Sequence, residues 1–362
     1  MSRYPFVRVD LAALQHNLQQ VRRYAPDSKV MAVIKADAYG HGVLPVAKAL
    51  QQSDGFAVAR LSEALLLRQN GYQQPITIFE GVSSTAEWQL AAEQMLIPVV
   101  HQQQHIDALL QANIQQPLPM LWLMLETGMH RLGLPEVAVQ QLISQLKHRQ
   151  DITTQLGLMS HFANADLSND QRNQQQLAVL QKLAASTGLA VCMANSAAIM
   201  TLPESHYDWV RPGLMLYGVS PFAEKRATEL GLKPVMQLTS KLVATQQLKA
   251  GDEVGYGGQW TAAKPTRMGV VSIGYGDGYS RHLSNVGEVL IREQRLPVIG
   301  RVSMDTLCVD LGNCPQAQLN DEVIIWGATD LTVEWLAEKA GTIPYELLTG
   351  VASRVSREYR YG

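Results

Sequence analysis

Short apolar runs separated by amphipathic stretches set the rhythm of the first two thirds of the chain. The runs fall at 30–35, 56–60, 75–80, 96–100, 120–125, 155–162, 189–194 and 209–217, and their lengths suit buried strands. Between them, segments such as 61–70, 85–94, 137–147 and 170–186 carry apolar residues at three- and four-residue spacing, the mark of helices with one buried face. An opening helix over 11–24 is preceded by Asp10, a favoured capping residue. Gly71 and Gly188 stand just past two of the helices, where C-terminal caps belong. Eight strands alternating with helices predict an α/β fold of the closed (β/α)8 type. An open, doubly wound sheet is the alternative, and it rarely holds so many regular units.

The texture changes near Gly231. Segments 236–246, 268–274, 289–294 and 322–326 are β-branched and short, with Gly-Asp, Gly-Gly or Asn turns between them, a strand-and-turn pattern. Only 333–340 and 345–348 look helical. The expected organisation is a barrel over 1–230 and a mainly β C-terminal domain over 231–362. A chain of 362 residues also exceeds the size at which one core stops growing.

Composition narrows the function classes. A 46% hydrophobic and 17% charged chain is ordinary for a globular protein. Its net charge of −2 offers no basic surface for nucleic acid or membrane. The longest apolar stretch, 118–125, is strand-sized and too short to cross a bilayer. The opening residues Met1 to Pro5 lack the apolar core of a signal peptide. Three cysteines, Cys192, Cys308 and Cys314, have neither metal spacing nor a disulfide pattern. The cytoplasm is the expected location.

Barrel enzymes build their sites at the C-terminal strand ends. Those ends carry Lys35 and Tyr39, the run Glu126 to Arg131, then His161, Asn195, Ser196, Arg211 and Gly213. A lysine ending a buried strand is partly desolvated, which lowers its pKa and frees its amine for Schiff-base chemistry. Singly, each residue has a plainer reading: a core histidine, a helix cap at Ser196, a rim ion pair at Arg211. Their convergence on one rim argues for a site. Loops after the last two strands are the usual phosphate position, and a phosphate-bearing cofactor beside a lysine points to pyridoxal phosphate. His101 and His105 have i, i+4 spacing, but Gln102 stands where a metalloprotease needs glutamate. They are expected on a solvated face, with no metal site. Gly255-Tyr256-Gly257-Gly258 lacks the strand–helix context of a dinucleotide fingerprint and reads as a turn or bulge.

Taken together these segments resemble the alanine racemase family, nearly end to end. Ala32-Val33-Ile34-Lys35-Ala36-Asp37-Ala38-Tyr39-Gly40-His41-Gly42 looks like its cofactor-lysine motif. Thr127-Gly128-Met129-His130-Arg131 is similar to its substrate-carboxylate segment, and Ser160-His161-Phe162, Ala194-Asn195-Ser196 and Arg211-Pro212-Gly213 to its cofactor-binding segments. Gly274-Tyr275-Gly276-Asp277-Gly278 looks like the motif of a second catalytic base, and Gly300-Arg301-Val302-Ser303-Met304-Asp305 like a further site segment. The resemblance implies that Lys35 holds pyridoxal phosphate. Tyr39, Ser196, Gly213, Leu214 and Tyr345 would surround the phosphate, His161 and Asn195 would line the cofactor, and Arg211 would face the pyridine nitrogen. Arg131 and the backbone of Met304 would take the substrate carboxylate. Tyr275 would be the second base, delivered by the other subunit of a homodimer. The implied reaction is interconversion of L- and D-alanine, with D-alanine going to peptidoglycan or alanine going to catabolism.

One position departs from the family pattern. Where most members carry a lysine that becomes carbamylated and orients the arginine, this chain has Met124. Either a bound anion such as chloride substitutes, or Arg131 is held differently. The alternatives to an alanine racemase are an amino-acid racemase of broader specificity and a non-catalytic pyridoxal-phosphate-binding protein. A decarboxylase on the same architecture would not need the Tyr275 motif.

Overall fold

A computed structural model describes residues 4–167 and 169–361. After β1 (Phe6–Asp10), the predicted apolar runs form strands β2 (Lys29–Val33), β3 (Gly55–Val58), β4 (Ile76–Ile78), β5 (Ile97–Val100), β6 (Leu121–Met124), β7 (Leu156–Met159), β8 (Ala190–Cys192) and β9 (Trp209–Val210). These eight close into a parallel barrel, the last step pairing Lys29 with Trp209 and Val30 with Val210. Nearly every strand residue is buried, as expected when helices cover a parallel sheet. The strands are shorter than the apolar runs because the rim residues bend away into loops. The run over 209–217 keeps only two residues in the sheet before turning into a 3-10 helix at Leu214–Tyr217.

Local signals act as read. Asp10 accepts the Ala13 N–H at 2.9 Å and starts the helix Leu11–Tyr24. Gly188 closes the helix Gln171–Thr187 with φ +64°, which glycine adopts freely. Gly157 stands on β7 because a Cβ there would lie 2.4 Å from the Trp122 ring and 2.5 Å from Met120.

The remaining strands are β10 (Met236–Leu248), β11 (Glu253–Val254), β12 (Trp260–Thr261), β13 (Thr266–Val271), β14 (Glu288–Ile291), β15 (Gln294–Ile299), β16 (Leu307–Asp310), β17 (Glu322–Trp326) and β18 (Ser356–Arg360). The eight-stranded sheet runs β13-β16-β15-β14-β17-β10-β1-β18, and the long β10 also pairs with β13. β1 lies between β10, antiparallel, and β18, parallel. The first strand is thus part of this sheet and not of the barrel. Accordingly the barrel unit comprises Gln15–Ala38 and Val46–Leu216, and the second unit gathers the chain up to Leu14, Tyr39–Pro45 and everything from Tyr217 onward. The sequence suggested one boundary near 230, since nothing local announces a strand whose partners lie more than two hundred residues away.

Candidate active site

Lys35 lies just beyond β2 and opens a turn of unusual hand. Ala36, Asp37 and Ala38 have φ/ψ near +53/+50°, the left-handed helical region, which costs a residue with a Cβ roughly 1–2 kcal/mol. Tyr39 continues it at φ +53°. The Lys35 ammonium lies 5.8 Å from the Phe79 ring centre. Burial lowers its pKa, Arg131 and Arg211 push the same way, and Glu63 and Glu80 oppose. An amine so placed is easier to deprotonate than a surface lysine.

Arg211 is buried, and its terminal nitrogens are fully committed. Nη1 donates to the Cys192 carbonyl at 2.9 Å and lies 3.2 Å from its sulfur, while Nη2 reaches the Ser160 and Met193 carbonyls at 2.7 and 3.1 Å. Nη2 also donates to His161 Nδ1 at 3.1 Å. Guanidinium has no acceptor, so that ring nitrogen accepts and the imidazole proton sits on Nε2. Burial, then Arg211, Arg131 and Lys35, depress the His161 pKa to about 3, which keeps the ring neutral. Among the described residues Nε–H is the one Arg211 donor left without a partner.

The loops after β8 and β9 meet at Ser196, whose Oγ accepts the Gly213 N–H at 3.0 Å and the Met215 N–H at 3.3 Å. The cap of the following helix is Asn195, which accepts the Ala198 N–H at 3.1 Å, one residue earlier than the plainer reading of Ser196 required. Gln176, on the helix Gln171–Thr187, is buried. It donates to Thr127 Oγ1 at 3.1 Å and to the His161 carbonyl at 3.0 Å, and accepts the Ala163 N–H at 2.9 Å. It thereby ties the loop that carries Arg131 to the loop that carries His161.

Arg131 itself is exposed and, among the described residues, has neither an ion pair nor a hydrogen bond. Glu126 spends its carboxylate on the backbone N–H groups of Gly128 and His130, and Met124 is a buried apolar side chain.

The second unit holds the other expected residues. Tyr39 stacks on Tyr217 with ring centres 4.7 Å apart and lies 5.8 Å from Tyr345. Tyr275 sits on a turn whose N–H groups, from Tyr275 and Gly276, donate to the carbonyls of Ser303 and Met304 at 3.0 and 2.8 Å. The approach demands Gly274, where a Cβ would come within 2.2 Å of the Ser303 oxygen. Arg354 binds Asp277 and Asp305, each at 2.7 Å, and so ties the Tyr275 turn to the Met304 segment. Tyr275 lines a cavity of about 400 Å³ with Tyr256, Arg281, Arg301 and Val302.

Tyr256, whose segment the sequence reads as a turn or bulge, shares that cavity. It is 72% exposed against 44% for Tyr275, on a turn with positive φ at Gly255, Gly257 and Gly258. A Cβ on Gly257 would lie 3.3–3.6 Å from the Arg301 guanidinium, so the cation packs against that turn. His101 and His105 are a correction: both are buried, with ring centres 4.4 Å apart. Space for His105 comes from Gly81, where a Cβ would fall 2.6 Å from the ring. Among the described residues no cluster of His, Cys, Asp and Glu could hold a metal ion, and no helix is long and apolar enough to cross a membrane.

The donor set suits pyridoxal phosphate: a lysine with a lowered pKa, a buried arginine with one free donor, and a serine hydroxyl where the loops after β8 and β9 meet. Comparison with known proteins agrees. Residues 9–221 match the model of the alanine racemase N-terminal domain and 235–359 that of its C-terminal domain. Alanine racemase of Nitrosococcus oceani is 47% identical over 354 residues, 98% of this chain and 99% of the relative. The biosynthetic alanine racemase of Pseudomonas aeruginosa superposes with a TM-score of 0.95 at 41% identity, covering 99% of this chain and all of that one. The Bartonella henselae alanine racemase, solved with covalently bound pyridoxal phosphate, gives 0.90 at 29% identity over 99% of this chain and all of that one. The matching relatives are isomerases of alanine in a pyridoxal-phosphate-dependent family. On both halves of its sequence and throughout its fold, the chain belongs to the alanine racemase family.

Proposed function

We propose that this chain interconverts L- and D-alanine by proton transfer at two faces of the substrate α-carbon, with Lys35 serving one face and a tyrosine of the second unit the other. The observation that carries the reading is the gathering of Lys35, His161, Ser196, Arg211 and Gly213 from four strand ends onto one barrel rim. In the proposed division of labour the barrel over 1–230 binds the cofactor and the domain over 231–362 brings the second base, supplied by the other copy in a homodimer.

Lys35 would hold pyridoxal phosphate through its amine, with Tyr39, Ser196, Gly213, Leu214 and Tyr345 around the phosphate and His161 and Asn195 beside the ring. When bound, this cofactor supplies an electron sink for the charge left by removal of the α-proton. The Arg211 guanidinium carries donors and no acceptor, so a pyridine nitrogen facing its free Nε–H would accept a hydrogen bond from it and stay unprotonated. That keeps the sink weak and favours return of the proton to the α-carbon. Arg131 and the Met304 backbone would hold the substrate carboxylate.

For the second base the sequence points to Tyr275. We propose Tyr275 itself, because it lines the cavity with Arg281 and Arg301 on a turn held by the Ser303 and Met304 carbonyls.

With Met124 unable to carry a carbamate, a chloride ion beside Arg131 is proposed as the missing anion. Exchange of chloride for gluconate should then raise KM for alanine severalfold, and Met124→Lys should remove that dependence. A KM indifferent to halide in both proteins would reject the ion. A cytoplasmic location and supply of D-alanine for peptidoglycan complete the proposal. The direct test is chiral chromatography of L-alanine incubated with the cofactor-saturated protein. D-alanine should form, and Lys35→Ala should abolish it. A failure to convert alanine, with other amino acids racemised, would favour the broader-specificity reading.

A further inference from the structure

Helix Leu61–Gln69 opens with a glutamate at its third position, Glu63. Such a residue ordinarily spends its carboxylate on its own helix cap. Here one oxygen does that, accepting the N–H groups of Ala59 and Arg60 at 2.8 and 3.0 Å. The other oxygen leaves the helix and accepts the Ala36 N–H at 2.7 Å. Ala36 is the first of the three left-handed residues that follow Lys35. Within the same turn the Ala38 N–H donates to the Ile34 carbonyl at 3.0 Å.

Alanine avoids this backbone region, aspartate enters it only as a single residue, and glycine, which enters freely, is absent from 36–38. Something outside the turn must hold it. A hydrogen bond to a charged acceptor is the strongest ordinary means. We propose that Glu63 is a positioning residue: its carboxylate clamps the left-handed turn and thereby fixes the backbone from which the Lys35 amine is presented to the cofactor. The proposal rests on the reading of Lys35 as the cofactor-bearing lysine. Electrostatics supports it, since Glu63 opposes the effect of burial on the Lys35 ammonium.

The clamp makes a prediction that a simple helix cap does not. Glu63→Gln has one acceptor oxygen, so it cannot serve the helix cap and Ala36 together. Affinity for pyridoxal phosphate should fall about tenfold or more, the scale of one charge-assisted hydrogen bond. Adding Ala36→Gly and Ala38→Gly should restore most of the loss, because glycine takes the left-handed turn without a clamp. The measurement is titration of pyridoxal phosphate into apoprotein, followed by the visible absorbance of the lysine-bound aldehyde, with thermal unfolding of each apoprotein alongside.

Weakened binding rescued by the glycines supports the clamp. Affinity within twofold of the parent protein in Glu63→Gln overturns it. So does weakened binding that the glycines fail to restore, which would make Glu63 a helix cap only. If the unaltered protein forms no lysine adduct, the reading of Lys35 falls, and the proposal with it.

Discussion

Tyr275→Phe should slow solvent-deuterium exchange at the α-carbon of L-alanine by about 10²–10⁴-fold, the usual contribution of one acid–base group, while exchange into D-alanine persists through Lys35. A racemase needs a proton carrier on each face, so loss of one base silences exchange from one enantiomer first. Tyr256→Phe, at the other phenol of the cavity, serves as the control and should leave both rates within a fewfold of the parent. Proton NMR of each enantiomer in D₂O reads both rates directly. If the enantiomer-selective loss follows Tyr256→Phe instead, the second base is not the tyrosine of the sequence motif. Equal loss for both enantiomers in both variants would defeat the two-base scheme.

The barrel was legible because each strand is a continuous apolar run and each covering helix carries one apolar stripe, both properties of local sequence. The helices Leu11–Tyr24 and Val333–Ala340 and the strand Glu322–Trp326 fall where periodicity puts them. β1 and β18 were not legible. Ser356–Arg360 is almost wholly exposed and charged, and only its pairing with Phe6–Asp10 makes it a strand. The left-handed turn was hidden for another reason: Ala-Asp-Ala is a sequence that favours ordinary helix, and the force that inverts it comes from Glu63, on the next helix. His105 is buried because Gly81 leaves it room, again a matter of packing between loops. The rim residues were legible as types at strand ends. Which donors of Arg211 are already committed is a fact of packing.

Acid should destabilise this protein partly through one residue, and His161→Gln should relieve that part. The sign follows from linkage. In the unfolded chain a histidine titrates near 6.5, whereas His161 is held down to about 3 in the fold. Between those values the unfolded state carries a proton that the folded state refuses, so stability is full above pH 6.5 and falls as the pH drops toward 3. At about 1.4 kcal/mol per unit, some 3 kcal/mol should be gone by about pH 4.5. Glutamine keeps an oxygen to accept the Arg211 Nη2 proton and has nothing to titrate. Urea denaturation at pH 7.5 and pH 4.5 should therefore show an acid-induced loss smaller by about 3 kcal/mol in His161→Gln than in the parent protein. His105, held to about 4, adds an acid-labile component to both proteins and cancels in the comparison. Equal losses in the two proteins would mean that His161 takes up its proton in the folded state, and its bond from Arg211 could not then be the one described.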